Sequence, residues 1–171
     1  MDGADDDLAR RFERTWQDLA PIGREPSTGG YRRSAWTPAD ADLRAWFADR
    51  AAERRMPCAP DRNGNLWAWW GDPADGAVVT GSHLDSVPDG GAFDGPLGVV
   101  SAFLAIDELR SRGVVPTRPV AVIAFADEEG ARFGVACAGS RLLTGAGDAE
   151  PGALLVGEGD HGDRPRRDDA A

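Results

Sequence analysis

Five polar side chains between positions 83 and 129 have the types and spacing of a metal-dependent hydrolytic site. His83 and Asp85 come first, Asp94 follows, and Glu128 and Glu129 are adjacent further along the chain. Imidazole nitrogens and carboxylate oxygens are ligands for zinc and similar divalent ions, which lower the pKa of a bound water to about 7. A neighbouring glutamate is then a competent general base. The joint pattern is therefore compatible with hydrolysis by a metal-activated water, although each motif alone is more often a solvated turn or surface loop.

Each of these residues has a possible role that follows from its position. Asp85 lies two residues after His83, so its carboxylate can accept a hydrogen bond from the second ring nitrogen and fix the tautomer. Asp94 lies in the glycine-rich loop GGAFDG, whose backbone can bend to bring a carboxylate inward. A carboxylate there can bridge two metal ions about 3.5–4 Å apart. Adjacent residues at a strand end point in different directions, so one of Glu128 and Glu129 can bind metal while the other accepts a proton.

A strand–helix–strand unit is expected to position these residues. Val78–Ser82 and Val120–Ala126 are short apolar runs that predict strands, and Leu97–Arg112 predicts a helix between them. Gly113 suits the left-handed position that ends a helix. Parallel strands joined by a helix make a right-handed crossover and end at one edge of the sheet, where open α/β sheets bind ligands. The polar residues that follow the two strands should therefore converge.

Two further helices are predicted in the N-terminal half. Leu8–Leu19 carries an apolar stripe on one helical face, after residues 1–7, which are expected to be frayed. Thr37 followed by Pro38 predicts a helix start. This second helix should extend to about Met56 and bury four side chains, namely Leu43, Trp46, Phe47 and Ala51.

The remaining segments predict a hairpin, a short helix and a tail. Asn63-Gly64 indicates a hairpin turn between strands Met56–Asp61 and Asn65–Trp70. The tryptophans at 67, 69 and 70 are expected to pack in the core, with ligand contact as the alternative. Ser140–Leu143 predicts a short helix. The residues from 145 to 171 are rich in Gly, Pro, Asp and Arg, which predicts disorder.

Composition excludes several function classes. The 171 residues carry 29 acidic and 19 basic side chains, all of the basic ones Arg, for a net charge of −10. Such a chain is a poor candidate for binding nucleic acid, where phosphate neutralisation dominates affinity. No apolar run of about 18 residues and no signal peptide are visible, so we expect a cytoplasmic protein without membrane association. The loop after Val78–Ser82 lacks G-x-G-x-x-G, which disfavours a nucleotide-binding module.

Two segments resemble the signatures of a known family. GSHLDSVPDGGAFDGPLGV and FADEEGARFG are similar to the metal motifs of the hydantoinase/carbamoylase amidases, and NGNLWAWWG and GSRLLTG also resemble segments of that family. These enzymes are dinuclear metal amidohydrolases of the aminopeptidase/carboxypeptidase-like clan. The resemblance spans residues 30–145. It implies hydrolysis of linear amide or ureido C–N bonds, with allantoate as the first expected substrate and N-carbamoyl-L-amino acids as the second.

The resemblance also implies roles for individual residues. His83 would ligate one of two divalent ions, Zn or Mn, Asp94 would bridge both, and Glu129 would ligate the second. Glu128 would be the general base, and Asp85 would orient His83.

The implied fold is an incomplete three-layer α/β/α zinc-peptidase-like catalytic domain, a mixed sheet with a parallel βαβ core. Residues 1–144 would form the N-terminal part of that domain, followed by a disordered or aberrant tail at 145–171. Family members are longer and supply two more metal-binding histidines and a lid or dimerisation domain, whereas this chain has only His161 besides His83. Full-length members are expected to be homodimers, but this chain not through the same interface. The alternative is therefore a truncated, catalytically inactive fragment with a partial metal site.

Overall fold

A computed structural model describes residues 3–146 of the chain. The tail that is predicted to be disordered begins at residue 145, and its part beyond Ala146 lies outside the described residues. Four helices and four strands occur in the described part: α1 Gly3–Leu19, α2 Pro38–Glu53, β1 Cys58–Pro60, β2 Leu66–Trp70, β3 Val78–His83, α3 Pro96–Ser111, β4 Val120–Phe125 and α4 Ala138–Thr144. None of these helices is both long enough and apolar enough to span a bilayer.

The strands form one mixed sheet in the order β1-β2-β4-β3. β3 and β4 are parallel and in register from the pair Val78–Val120 to the pair His83–Phe125, while β2 is antiparallel to β4 and β1 to β2. The mixed sheet and its parallel βαβ core are thereby confirmed. Because β3 and β4 are parallel, the loops that follow His83 and Phe125 leave the same edge of the sheet.

Helices α2 and α3 pack on one face of this sheet and form the core with it. Phe47 of α2 and Phe103 of α3 are fully buried, with ring centroids 5.1 Å apart. The four side chains predicted to be buried in α2 are all buried. Leu66 and Ala68 of β2 belong to the same core. The sheet therefore has one face fixed by tightly packed helices, which makes its C-terminal edge a rigid support.

The three tryptophans of β2 are divided between the two faces. Trp70 packs against the core, whereas Trp67 and Trp69 are half-buried and stack on each other with centroids 5.5 Å apart. The expectation that all three pack in the core is therefore wrong for two of them. Side chains alternate along a strand, so Leu66 and Ala68 occupy the core positions and Trp67 and Trp69 must face the other way.

Some helix limits differ from the predicted ones. α1 begins at Gly3, so the expectation of a frayed segment fails for the part of residues 1–7 that the structure describes. Acidic side chains such as Asp6 and Asp7 favour a helix N-terminus through the macrodipole. α2 ends at Glu53 and not near Met56, because Arg55 has a φ of +53° and turns the chain toward β1. Its predicted cap is confirmed: the Thr37 hydroxyl accepts a hydrogen bond from the Asp40 amide.

Candidate metal centre

The three predicted ligands meet at the C-terminal edge of the parallel strands. His83 is the last residue of β3, Asp94 lies in the loop before α3, and Glu129 lies in the turn after β4. Each offers one ligand atom, and these atoms all lie within 4.8 Å of one another. His83 is 8% exposed, whereas Asp94 is open to solvent. The structure therefore brings the three together, while their role as ligands stays a prediction.

Glycine at position 95 permits this approach. Gly95 has a φ of +75° and is the N-cap of α3, with Pro96 at the first helical position. A Cβ at this residue would lie 2.5 Å from two atoms of the His83 ring. The backbone next to Asp94 can therefore pass directly over the imidazole only because residue 95 has no side chain.

The ring of His83 is held through Nδ1. That atom lies 3.1 Å from the Asp85 carbonyl oxygen and 3.5 Å from Asp85 Oδ1. A carbonyl oxygen only accepts, so this contact requires a proton on Nδ1 and leaves the lone pair of Nε2 for a ligand. Nε2 faces Glu128 Oε2 at 3.5 Å and Asp94 Oδ1 at 4.0 Å. The main chain of Asp85 thus makes the shorter contact, which a pattern of side chains does not foresee.

The carboxylate of Asp85 also positions the opposite ligand. Asp85 Oδ2 accepts a hydrogen bond from the backbone N–H of Glu129 at 3.0 Å. Asp85 is 5% exposed, so this contact is well shielded from water. One buried aspartate therefore contacts the His83 ring and fixes the backbone of Glu129.

Glu128 and Glu129 both face the cluster, in contrast to the expectation that they point in different directions. β4 ends at Phe125, so the two glutamates lie in a turn and do not follow the alternation of a strand. Glu128 Oε1 lies 3.4 Å from the Cys137 thiol, which donates to it, while Oε2 faces His83. Sequence reasoning missed this role of Cys137. Nine positions separate Cys137 from Glu128, and only the fold brings the two side chains together.

Crowded charge perturbs the titration of this site. Burial favours the neutral imidazole, but the carboxylates of Asp85 and Glu128 outweigh that effect and raise the pKa of His83. Burial and the nearby Asp94 carboxylate raise the pKa of Glu129. Burial, together with Asp85 and Asp40, raises the pKa of Asp127 to about 6. Clustered carboxylates with raised pKa values are the environment that a bound cation stabilises.

Asn65 anchors the turn that carries the glutamates, a role that sequence reasoning also missed. It is fully buried; its Nδ2 donates to Asp61 Oδ2 at 2.9 Å and to the Gly139 carbonyl at 3.1 Å. Its Oδ1 accepts from the Ala126 amide at 3.0 Å. The only sequence signal was its place beside the hairpin turn at Asn63-Gly64.

The donor set fits one divalent ion. One imidazole and two carboxylates supply three ligands, the number that a catalytic zinc site with an open position uses. Nε2 of His83 faces the carboxylates of Asp94 and Glu128, at 4.0 and 3.5 Å, and can turn its lone pair to an ion placed between them. A second ion would need donors in addition to these three, and the other histidine, His161, lies outside residues 3–146.

Comparison with known proteins places these motifs in a family context. Residues 79–166 match the model of peptidase family M20/M25/M40. The chain is 40% identical over 147 residues to the N-carbamoyl-L-amino acid amidohydrolase of Geobacillus stearothermophilus, covering 83% of this chain and 35% of that protein. It is 35% identical over 136 residues to the allantoate amidohydrolase of Escherichia coli K12, covering 78% and 33%.

A solved structure shows the same likeness in three dimensions. A hydantoinase/carbamoylase family amidase from Burkholderia ambifaria superposes with a TM-score of 0.75 at 40% identity, over 81% of this chain and 35% of that one. The chain therefore spans about a third of the length of the relatives that it matches.

Proposed function

Since this chain belongs to peptidase family M20/M25/M40, and within it to the hydantoinase/carbamoylase-type amidases, we propose that it carries part of the catalytic centre of a metal-dependent amidohydrolase. One observation supports this most directly. His83, Asp94 and Glu129 come from three separate segments, yet their ligand atoms lie within 4.8 Å of one another. Convergence at the C-terminal edge of a parallel pair of strands is typical of ligand sites in α/β proteins.

The proposed roles follow from the contacts of each side chain. His83, Asp94 and Glu129 would hold a divalent ion, Zn or Mn, which would supply Lewis-acid activation of water and of the scissile carbonyl. Glu128 accepts the proton of the attacking water and returns it to the leaving nitrogen. The Cys137 thiol occupies Oε1 of Glu128 and leaves Oε2, which is 3.5 Å from His83 Nε2, as the basic atom. Asp85 holds the His83 ring and the Glu129 backbone in position.

We propose a ureido or linear amide group as the substrate. N-carbamoyl-L-amino acids and allantoate, named for the relatives, share a ureido C–N bond, which is the bond that these roles would cleave. Cleavage of that bond in either substrate requires an activated water and a proton donor to the leaving nitrogen. The described residues carry no contact that separates the two, so both are substrates to assay. A second ion, as the resemblance implies, would be held by Asp94 and Glu129.

A second candidate is a metal-binding chain without turnover. It is favoured by the count of three clustered donors among residues 3–146, which leaves a two-ion site short of ligands. Catalysis tolerates misplacement poorly, since an error of about 1 Å can cost on the order of 10²-fold in rate.

The test is to purify the chain, add Mn²⁺ or Zn²⁺, and measure ammonia release from allantoate and from an N-carbamoyl-L-amino acid. Glu128→Gln should abolish turnover and leave metal content nearly unchanged, because Glu128 is assigned to proton transfer. Glu13→Gln, on the exposed face of α1, is the matched control. Metal binding by way of His83 without ammonia release would favour the second candidate. A His83→Ala variant that binds metal as tightly as the wild-type chain would refute the site.

A further inference from the structure

A small, mostly enclosed cavity lies next to the candidate metal centre, at Asp85. Its volume is about 10 Å³, close to the minimum that holds one water molecule. It is lined by residues of α2 and its preceding loop and of the loops that follow β3 and β4, among them Trp36, Asp40, Arg44, Asp85 and Asp127. The cavity therefore touches both strand ends that carry the proposed ligands.

Two buried acceptors on residues that line this cavity have no hydrogen-bond partner among the described residues. These are Asp85 Oδ1 and Asp127 Oδ2, on side chains that are 5% and 3% exposed. Asp85 Oδ1 has only the 3.5 Å approach of the His83 ring, too long for a hydrogen bond. Buried carboxylate oxygens are nearly always paired with protein or ordered water, so two of them beside one water-sized space indicate a ligand.

The chemistry of the lining favours water over a cation. One water donates two hydrogen bonds and so matches two free acceptors. The Nε1–H of Trp36, which also lacks a partner, is a donor available to the water oxygen. Calcium and magnesium need six or more oxygen ligands, and the Arg44 guanidinium already brings positive charge to the cavity wall.

We propose that this cavity binds one ordered water that donates to Asp85 Oδ1 and Asp127 Oδ2, and that Asp127 is thereby a positioning residue for the glutamate turn. Asp127 has a φ of +47° and opens that turn, and its carbonyl accepts from the Ala138 amide at 3.1 Å. Asp85 holds the Glu129 amide through Oδ2. The water joins the two aspartates, so it couples the loop after β3 to the turn after β4.

The water itself is independent of the proposed function, whereas its effect on metal binding rests on that function. Loss of the Asp127 carboxylate frees one side of the water, loosens Asp85 and so weakens the hydrogen bond to the Glu129 amide. Asparagine retains an acceptor oxygen of the same length and should keep the water. Alanine should not, and outer-shell changes of this kind cost about 10–100-fold in metal affinity.

The experiment combines a high-resolution crystal structure of the purified chain with amide hydrogen exchange. The crystal should show one solvent peak within about 3.2 Å of Asp85 Oδ1 and Asp127 Oδ2. In Asp127→Ala the Glu129 amide should exchange at least about 10-fold faster than in wild type, relative to the remote Trp69 amide. Asp127→Asn should stay close to the wild-type rate, and Asp72→Ala, in an exposed turn, is the control.

Several results would overturn the proposal. A dry cavity, or an anomalous peak that identifies an ion, would refute the bound water. An unchanged Glu129 exchange rate in Asp127→Ala, or no rescue by Asp127→Asn, would refute the positioning role. Titration with Mn²⁺ tests the proposed function independently of the bound water. If the wild-type chain binds no Mn²⁺ but shows both the water and the exchange effect, the proposed function is wrong and the bound water is still supported.

Discussion

Replacing Gly95 by alanine should weaken metal binding at the candidate metal centre, because it adds a single atom, the Cβ, against the His83 ring. The added Cβ would lie 2.5 Å from Cε1 and from Nδ1 of His83 and 2.8 Å from Nε2. Ordinary carbon contacts need about 3.5–4.0 Å, so the ring and the backbone must separate by about 1 Å. The ring belongs to the end of β3 and cannot retreat without breaking its contact with the Asp85 carbonyl.

Two effects contribute to the expected loss of stability in Gly95→Ala. Gly95 has a φ of +75° and a ψ of −65°, a strained combination that should cost a residue with a Cβ at least about 1–2 kcal/mol. Overpacking against a buried ring adds about 1–3 kcal/mol. Metal–ligand distances are specified to about 0.2 Å, so a displacement of about 1 Å should lower affinity for Zn²⁺ by about 100-fold or more.

Gly113→Ala is the matched control, since Gly113 has a φ of +73° with nothing within 4 Å of the added Cβ. It shares the positive φ of Gly95 but has no contact with His83. Urea unfolding should show a loss of about 2–5 kcal/mol for Gly95→Ala and about 1–2 kcal/mol for Gly113→Ala. Calorimetric Zn²⁺ titration should show weakened binding only in the first. Equal stability losses and equal affinities in the two variants would refute the reasoning.

Three further predictions concern other parts of the site. Asn65→Ala should lower the free energy of unfolding by about 2–5 kcal/mol in urea, because it leaves the buried Ala126 N–H unpaired and removes the hydrogen bond to the Gly139 carbonyl; a loss below about 1 kcal/mol would contradict this. Asp127→Asn should stabilise the metal-free chain above pH 6, since a carboxyl whose pKa is raised from 3.8 to about 6 loses stability as pH rises through that range. The gain should approach an upper limit of about 3 kcal/mol at pH 8 and vanish below pH 4, and a pH-independent difference would argue against it. Cys137→Ser should keep Glu128 in place, whereas Cys137→Ala should lower any turnover in the ammonia-release assay, because only alanine removes the donor to Glu128 Oε1; equal rates in the two variants would contradict this.

The sequence by itself determined the unit that carries the site. Apolar runs of strand length on either side of an amphipathic segment indicate a βαβ crossover, and the handedness of that crossover decides which edge receives the loops. His83, Asp94 and Glu129 could therefore be predicted to converge, although their ligand roles stay predictions. The helix cap at Thr37 and the left-handed conformation of Gly113 could also be predicted from the sequence, because each depends on only a few neighbouring residues.

Tertiary structure decided what depends on distant segments. The turn after β4 directs both Glu128 and Glu129 to the same side, and strand alternation could not describe it. Trp67 and Trp69 face away from the core because the register of β2 against β4 gives the inner positions to Leu66 and Ala68. The roles of Asn65, Asp85 and Cys137 arise from hydrogen bonds that join residues separated by up to 74 positions along the chain. Such contacts have no local signal, because their energy depends on burial and geometry that only the packed fold creates.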